Sequence, residues 1–561
     1  MMTVRADEGM THPTDLSTRV STGNAGPAPI DRRRLLGGAA AGAALALLPG
    51  RAGAQAAPPA LPAAGAPFSD ATVPDLARAL GNRPFVAQTT NDVPDALKNL
   101  SREAYEAIRI RPEALIWGGE PHGFAVEPLA RGFYFTDRVA LFLVEDGVVR
   151  PVVYDRTHYD AGTEAGAAAL PESGREPGFS GLRIRARFGE RHQDFAVFQG
   201  ACFYRLVGQG QEFGVDGRAL MLRPADPRGE EFPRWRALFV ERPKTPDGPL
   251  VIHALIDSDS LAAALRLELR PGETSTASVT ATLVTRKAVD HLGLSGMQAP
   301  FLFGPHDRRG ADDARAAVYA AGGLQIRNGG GEAIWRPVRN PETLQISGFL
   351  DNRPQGFGLT QRDRSFTTFE DDGHHWERCP SLWVEPGEPA GAAEAGAEGL
   401  WGEGAVTLLE IPSDSEVNEN VIAYWRPKAA LPAGQEVRLA YRQNWGREQA
   451  PTSPQGGPLA RVTSTRSGRG TANPRRLFLV DFTGDGLFAA EGAVVPVETV
   501  LIAGPGRIVE GATRWIAHPE TRTVRVAFEL DPGSERACEL RLALKTEGRQ
   551  ITETWLYRWT P

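Results

Sequence analysis

Cysteine and lysine are both scarce in this sequence. The 561 residues include three cysteines, Cys202, Cys379 and Cys538, and no Cys-x-x-Cys or Cys/His spacing of a zinc site accompanies them. A disulfide framework is therefore not expected, and three buried free thiols are predicted instead. Lysine occurs five times, so arginine supplies almost all of the positive charge.

Several functional classes lack their signatures. The net charge of −7 offers no overall attraction to nucleic acid or to anionic lipid, so neither is expected as a partner. No Gly-x-Gly-x-x-Gly run opens a helix after a strand, and there is no P-loop. The run at residues 293–296 departs from a nucleophile elbow. We therefore predict no cofactor and no metal site.

The sequence also lacks a long apolar run, and this absence decides how the N-terminus is interpreted. The run Asp31-Arg32-Arg33-Arg34-Leu35-Leu36 precedes a weakly apolar stretch at residues 37–48, which is shorter than the roughly 20 residues that span a bilayer. Ala52-Gly53-Ala54 then offers a cleavage site. Residues 1–54 are predicted to be a twin-arginine signal peptide, so the mature protein would reach the periplasm through the twin-arginine export machinery, without a transmembrane segment.

The mature chain opens with helical patterns and then changes to strand patterns. Residues 74–80 predict a helix that ends at Gly81, and Ser101 is a candidate N-cap for a second one. In residues 182–188 apolar residues alternate with three arginines, as in a sheet with one face in solvent. Further strand patterns follow at residues 132–144, 279–284 and 344–350. Turn signals occur at pairs such as Asp216-Gly217.

These patterns predict an all-β protein with two sandwiches. Residues 55–66, rich in Ala and Pro, are predicted to be a disordered lead-in. Residues 67–425 are predicted to form a large N-terminal antiparallel β-sandwich. A linker at residues 426–432 is expected to lead to a smaller immunoglobulin-like β-sandwich at residues 433–561.

The stretch from Gly331 to Trp425 combines tryptophan with charged and amide side chains. Aromatic faces stack on sugar rings, and polar groups hydrogen-bond the hydroxyls, so this composition predicts a carbohydrate-binding groove. An alternative is that each tryptophan lies in the core and that the charged residues form buried ion pairs that brace the sheet. The candidate sugar-binding residues are Trp335, Trp383, Trp401, Arg362, Asp363, Glu385, Glu332 and Asn420.

The same stretch carries motifs that resemble a known family. They include Gly331–Pro337, Gly356–Arg364, Pro380–Pro386 and, outside it, Phe198–Arg205 and Glu553–Tyr557. From about residue 68 to 559 the chain resembles the bacterial periplasmic glucan biosynthesis proteins G and D, and the twin-arginine leader favours the D branch. The resemblance implies a β-1,2-linked glucan as ligand, the same two-sandwich architecture and a homodimer. Some members resemble inverting glycoside hydrolases or transglycosylases.

The resemblance also indicates an acid. Inverting hydrolysis needs one carboxyl group to protonate the departing oxygen and another to activate water. The run Glu416-Val417-Asn418-Glu419-Asn420 resembles a family run in which the acid is an aspartate, so Glu419 is the candidate general acid. Its extra methylene moves the carboxyl by roughly 1 Å, which can cost on the order of 10²-fold in rate. The alternative for Glu419 is a surface carboxylate in a polar loop.

At the base the match is broken. Active members carry a His-Asp-Ser-Asp run, whose first Asp belongs to the base, where this chain has Tyr319-Ala320-Ala321-Gly322. Two hypotheses follow. The protein is either an enzyme that hydrolyses or transglycosylates β-1,2-glucan, or a non-catalytic glucan-binding or scaffold protein that assists glucan synthesis and export, because Ala320 replaces the base.

Overall fold

The computed structural model describes residues 59–174, 177–308, 311–387 and 399–561. The predicted signal peptide and the first residues of the lead-in lie outside the described residues. The lead-in is packed in its last part, because Gly65 N donates to Val149 O and Val149 N donates to Ala66 O, both at 2.9 Å. In the described part of the chain, no helix is long and apolar enough to cross a membrane.

Helices are few and short. The α-helices of the described residues are α1 (Thr72–Gly81), α2 (Asp95–Lys98), α3 (Arg102–Glu106), α4 (Glu164–Ala169) and α5 (Phe366–Phe369). Single 3₁₀ turns occur at Pro112–Ala114, Arg156–His158, Trp376–Arg378, Asp485–Leu487 and Pro519–Thr521. Both helix predictions are confirmed: the first helix ends at Gly81, and Ser101 Oγ caps α3 by accepting from Ala104 N at 3.2 Å.

Strands dominate the fold. Their bounds are β1 (Arg109–Ile110), β2 (Phe124–Ala130), β3 (Ala140–Glu145), β4 (Val148–Pro151), β5 (Tyr159–Asp160), β6 (Phe179–Phe188), β7 (Arg191–Gln199), β8 (Phe203–Leu206), β9 (Asp216–Leu222), β10 (Arg234–Glu241), β11 (Leu250–Asp257), β12 (Leu261–Arg270), β13 (Ser275–Thr285), β14 (Leu292–Ala299), β15 (Phe301–Phe303), β16 (Val318–Tyr319), β17 (Gly323–Arg327), β18 (Ala333–Pro337), β19 (Gln345–Asn352), β20 (Gly356–Thr360), β21 (Ser381–Gly387), β22 (Glu403–Glu410), β23 (Val421–Pro427), β24 (Glu436–Gly446), β25 (Arg461–Arg469), β26 (Arg476–Thr483), β27 (Glu498–Gly504), β28 (Arg507–Ile508), β29 (Arg514–His518), β30 (Thr523–Asp531), β31 (Cys538–Thr546), β32 (Arg549–Gln550) and β33 (Thr554–Trp559). The all-β prediction is confirmed.

Two large sheets pack face to face. One has nine strands in the order β19-β22-β23-β14-β9-β8-β7-β6-β2, and the other has 15 strands, with β24, β13, β12 and β11 near its middle. Their inner faces share one core, in which Tyr204 of β8 donates to Gln443 Oε1 of β24 at 2.8 Å. In β6 the apolar residues face this core and Arg183, Arg185 and Arg187 face outward, as the alternation predicts.

The C-terminal strands form a second, smaller sandwich. Strands β25, β26, β30, β28 and β29 make a five-stranded sheet that shares a core with β31 and β33. Strand β33 then joins the large sheet by parallel pairing with β18. The linker predicted at residues 426–432 stays a prediction. The next strand, β24, pairs with β13 and β21 inside the large sheet, which favours a boundary after Gly446.

Two local predictions are corrected. Asp216-Gly217 is not a turn but the start of β9, paired with Gln298 and Met297 of β14. The strand predicted at residues 132–144 is formed only from Ala140, because Gly132 and Phe135 close a turn before it. All three cysteines are free and buried, as predicted.

Candidate functional site

A row of mostly polar side chains crosses the outer face of the nine-stranded sheet. On β8, Tyr204 and Leu206 face the core, so Phe203 and Arg205, which alternate with them, face outward. Cross-strand pairing places further outward residues at the level of Arg205. Together they form one line across six strands: Glu127, Arg183, Val197, Arg205, Asp216 and Gln298.

The centre of this row is an ion pair between Arg205 and Asp216. Arg205 Nε lies 2.9 Å from Asp216 Oδ1, and Nη2 donates to Oδ2 at 3.1 Å. The Arg205 side chain keeps 39% of its surface exposed, whereas that of Asp216 keeps 5%. The ring of Phe213 lies 5.8 Å from the Arg205 guanidinium. We call the region of Arg205, Phe213, Asp216, Gln298 and Glu419 the groove, after the carbohydrate-binding groove that the sequence predicts.

Glu419 enters the groove from the loop at residues 411–420, which joins β22 to β23. Three groups hold this loop. Asn340 Nδ2 donates to Ser413 O at 2.7 Å, Arg315 Nη2 donates to Glu416 Oε2 at 2.6 Å, and Ile411 N donates to Asn420 O at 2.9 Å. Because both ends and the middle are tied down, the carboxyl of Glu419 has a defined position.

Asn420 anchors the loop rather than facing a ligand. It is 2% exposed, and its Oδ1 accepts from Phe301 N at 2.8 Å. Its Nδ2 donates to Phe301 O and Ile411 O, both at 3.0 Å. Since both ends of the amide are engaged with backbone groups, we do not propose Asn420 as a sugar-binding residue; it positions Glu419.

The surroundings of Glu419 raise the pKa of its carboxyl. Burial of the carboxyl and then the negative charge of Asp216, which hydrogen-bonds to it, raise the pKa of Glu419 well above its ordinary value. The charge of Arg205 and a hydrogen bond from Gln298 Nε2 act in the opposite direction and do not cancel this. A carboxyl with a raised pKa, intermediate exposure and a fixed position is suited to donate a proton.

Asp216 cannot be the base of an inverting reaction. The two carboxyl groups of an inverting glycosidase stand about 6.5–9.5 Å apart, which leaves room for the attacking water. Asp216 and Glu419 are in hydrogen-bonding contact, so no water fits between them. The role that this geometry supports for Asp216 is to keep the proton on Glu419.

This role makes Asp216→Asn a test of the carboxyl pair. A group whose folded-state pKa is raised contributes stability below its unfolded pKa and loses it as pH rises through the folded pKa. Removing the charge of Asp216 lowers the pKa of Glu419, so the variant is expected to lose less thermal stability than wild type as pH rises from 4.5, the ordinary pKa of a glutamate, through the raised folded-state pKa. Thermal midpoints across that pH range measure the difference. Asp485→Asn, an exposed carboxylate of the smaller sandwich, should follow wild type; equal pH slopes for all three proteins would contradict the coupling.

The tryptophans predicted to line a groove are buried. Trp335, Trp383 and Trp401 keep 6%, 5% and 7% of their surface. Trp383 packs beneath Gly356, where an added Cβ would collide with its indole ring. We therefore do not propose these three residues as sugar platforms.

The predicted charged residues separate into different places. Arg362 donates to Glu553 Oε1 at 2.6 Å and Oε2 at 3.0 Å, and its guanidinium lies 3.6 Å from the Trp335 ring centroid. Glu332 contacts Arg541 and accepts from Thr554 Oγ1 at 2.5 Å. The two carboxylates of these contacts, Glu553 and Glu332, therefore lie where the smaller sandwich meets β18. Neither belongs to the groove.

Asp363 and Glu385 differ from these. Asp363 accepts from the Tyr319 hydroxyl at 2.6 Å, and the Tyr319 ring stacks on Phe301 at 5.3 Å. Phe301 in turn holds Asn420 in the loop of Glu419, so Asp363 is two side chains removed from that loop. Glu385 lies on β21 opposite Arg442, with intermediate exposure. Binding roles for both residues stay predictions.

The position of the missing base is filled by packing. Ala320 is fully buried, and a Cβ added at Gly214 would lie 3.0 Å from its methyl group and collide with Cys379 Sγ. Burial raises the pKa of the Cys379 thiol above its ordinary range, so no thiolate replaces the carboxylate. Three small groups thus pack against each other where the family places an acid.

A concavity elsewhere in the protein is lined by none of the predicted site residues. It has a volume of about 780 Å³ and is lined by residues that include Asp70, Glu241, Arg242, Lys244 and Arg266. Asp70, Glu241 and the buried His253 converge there and could hold a metal ion. The imidazole already hydrogen-bonds Glu241, and Asp70 pairs with Arg266 at 3.6 Å, so we assign no function to it.

The fold and the groove define a class of protein. A carboxyl with a raised pKa beside an ion pair, on the outer face of a β-sandwich sheet, suits proteins that bind or cleave carbohydrate. The family described as "Periplasmic glucan biosynthesis protein, MdoG" matches residues 68–559. The chain belongs to this family.

Individual relatives agree with this assignment. Glucans biosynthesis protein G of Shewanella frigidimarina is 40% identical over 88% of this chain and 85% of its own length. The protein of the same name from Bradyrhizobium diazoefficiens is 38% identical over 95% and 100%. Preference for the D branch stays a prediction. Among solved structures, an α-galactosidase from Geobacillus stearothermophilus covers 48% of this chain and 40% of its own, with 8% identity and a TM-score of 0.24, which supports no argument.

Proposed function

We propose that this protein acts in periplasmic glucan biosynthesis by binding a β-1,2-linked glucan in the groove and remodelling it. Glu419 donates its proton to the oxygen of the glycosidic bond that breaks, and Asp216 keeps that proton on Glu419 before transfer. A sugar hydroxyl or water then forms the new bond to the glycosyl carbon and releases its own proton to solvent, from which Glu419 is protonated again. The observation that carries this proposal is a positioned, half-buried carboxyl of raised pKa beside the Arg205–Asp216 ion pair on the outer sheet face.

The family membership supports the wider setting. It supports a location in the periplasm. Export by the twin-arginine machinery, predicted from the leader, and the homodimer implied by the resemblance belong to the same proposal. Periplasmic localisation, twin-arginine export and dimerisation are proposals, as is the chemistry of the groove.

A second candidate is a glucan-binding protein without catalysis. The observation that favours it is the packing of Ala320 against Gly214 and Cys379, since the attacking hydroxyl then lacks the family's base. The same groove would bind the glucan and assist its synthesis or export without cleaving it.

Incubation of the mature protein with linear β-1,2-glucan distinguishes the two candidates. Chain lengths are followed by mass spectrometry, and binding is measured by calorimetry on the same samples. Shortened, lengthened or cyclised glucan supports remodelling, and tight binding of unchanged glucan supports the non-catalytic protein. If the glucan neither binds nor changes, both candidates are wrong.

Restoring the base by Ala320→Asp is expected to fail. The carboxyl would be buried against Gly214 and the Cys379 thiol, which costs about 3 kcal/mol or more of unfolding free energy. Urea unfolding followed by tryptophan fluorescence measures the loss, and Ala320→Ser, which adds one atom, serves as the milder control. An Ala320→Asp protein that is as stable as wild type and more active would show that the position is open to a base.

A further inference from the structure

A second concavity lies beside the groove on the same sheet face. It has a volume of about 250 Å³, and four of its nine lining residues are aromatic. Tyr134 keeps 84% of its surface exposed and Phe232 keeps 43%, which is unusual for residues of this size. We call the region of Tyr134, Phe135, Phe203 and Phe232 the aromatic pocket.

The aromatic pocket is tied to the groove through two strands. On β8, Phe203 of the pocket and Arg205 of the groove are separated by one residue, and both face outward. On the adjacent β9, Arg218 pairs with Phe203 and lies two residues from Asp216. Residues i and i+2 of a strand are about 7 Å apart, so the pocket begins one sugar ring away from the carboxyl pair.

The pocket is built rigidly and has a polar rim. The Arg218 guanidinium lies 5.0 Å from the ring centroid of Phe203 and 5.3 Å from that of Phe232. These two contacts fix the positions of both rings. Arg234 pairs with Asp137 at the edge. Gly200, with φ of +81°, leaves the space open, because an added Cβ would contact Phe203 and Phe135 at 3.5 and 3.6 Å.

We propose that the aromatic pocket binds one glucosyl unit of the glucan, next to the bond that Glu419 addresses. Aromatic faces match the apolar C–H faces of a pyranose ring, and the paired Arg234 and Asp137 match its hydroxyls. The ligand then spans both regions, so the pocket sets the register of the chain against the acid. This inference rests on the proposed function and adds the residues that fix the position of the sugar.

Binding of linear β-1,2-glucan to Tyr134→Ala and Phe232→Ala tests the pocket. Each variant is expected to bind about tenfold more weakly than wild type, since one stacking face is lost. Both side chains are exposed, so folding is not at risk, and thermal midpoints check this. Ala201→Trp, which fills the pocket from its rim, should weaken binding as well.

The matched control is Trp515→Ala, an aromatic residue of the smaller sandwich with 46% exposure, which should bind as wild type. Wild-type affinity in all three pocket variants would overturn the subsite and leave the proposed function standing. Absence of glucan binding in wild type would overturn the proposed function and the subsite with it.

Discussion

Glu419→Gln is expected to lower glucan conversion by about 10²–10⁴-fold, the usual contribution of a general acid, and to leave glucan binding almost unchanged. The amide keeps the shape of the carboxyl and its contact with Gln298 and Asp216, so the groove retains its form. What it loses is the transferable proton. Chain-length analysis by mass spectrometry measures conversion, and calorimetry measures binding.

A control from the same loop makes this result specific. Asp414→Asn removes an exposed carboxylate five residues away and should leave both measurements at wild-type values. Conversion by Glu419→Gln at the wild-type rate would remove Glu419 from the mechanism. If wild type converts no glucan, the variant should still gain thermal stability at alkaline pH, because the costly charged form of Glu419 is no longer made.

The fold was largely predictable because burial imposes a period on the sequence. In β6 the apolar residues at 182, 184, 186 and 188 must face the core, so the arginines between them must face out. Asp216-Gly217 misled because the same two residues favour turns. In the structure Gly217 lies in β9 against Tyr204 and Trp445, where a larger side chain would not fit.

The site was only partly predictable. Glu419 could be found because its run resembles a family motif, but Asp216, Arg205 and Gln298 come from three separate strands and meet only through sheet pairing. Arg205 is the last residue of the family motif Phe198–Arg205, and this motif is the one sequence signal that points to it. The tryptophans misled for a different reason. The strand alternation around Trp335 and Trp383 shows which residues share a face. It does not show which of the two faces is covered by a second sandwich or by a neighbouring strand.

Glu553→Ala is expected to be the most destabilising change among those proposed. Glu553 is fully buried and accepts from both Nη atoms of Arg362 and from Val462 N at 2.6 Å. Removing it leaves a buried guanidinium and a backbone N–H without their acceptor, which costs about 3–5 kcal/mol. The thermal midpoint of unfolding should fall clearly, and it should fall less in a double variant in which Arg362 and Glu553 are both leucine, since no charge then remains buried.

The same pair decides between the two interpretations of Arg362. A bracing role predicts that Arg362→Met lowers stability while the folded protein binds glucan as wild type does, because the guanidinium contacts Glu553 and Trp335 rather than the groove. A sugar-binding role predicts the reverse, weaker binding at unchanged stability. Glu403→Ala, which breaks an exposed pair with Lys428 of similar length, should change neither measurement, since solvent screens that pair. The difference between these two ion pairs lies in burial, which is the quantity that the sequence pattern around Arg362 does not encode.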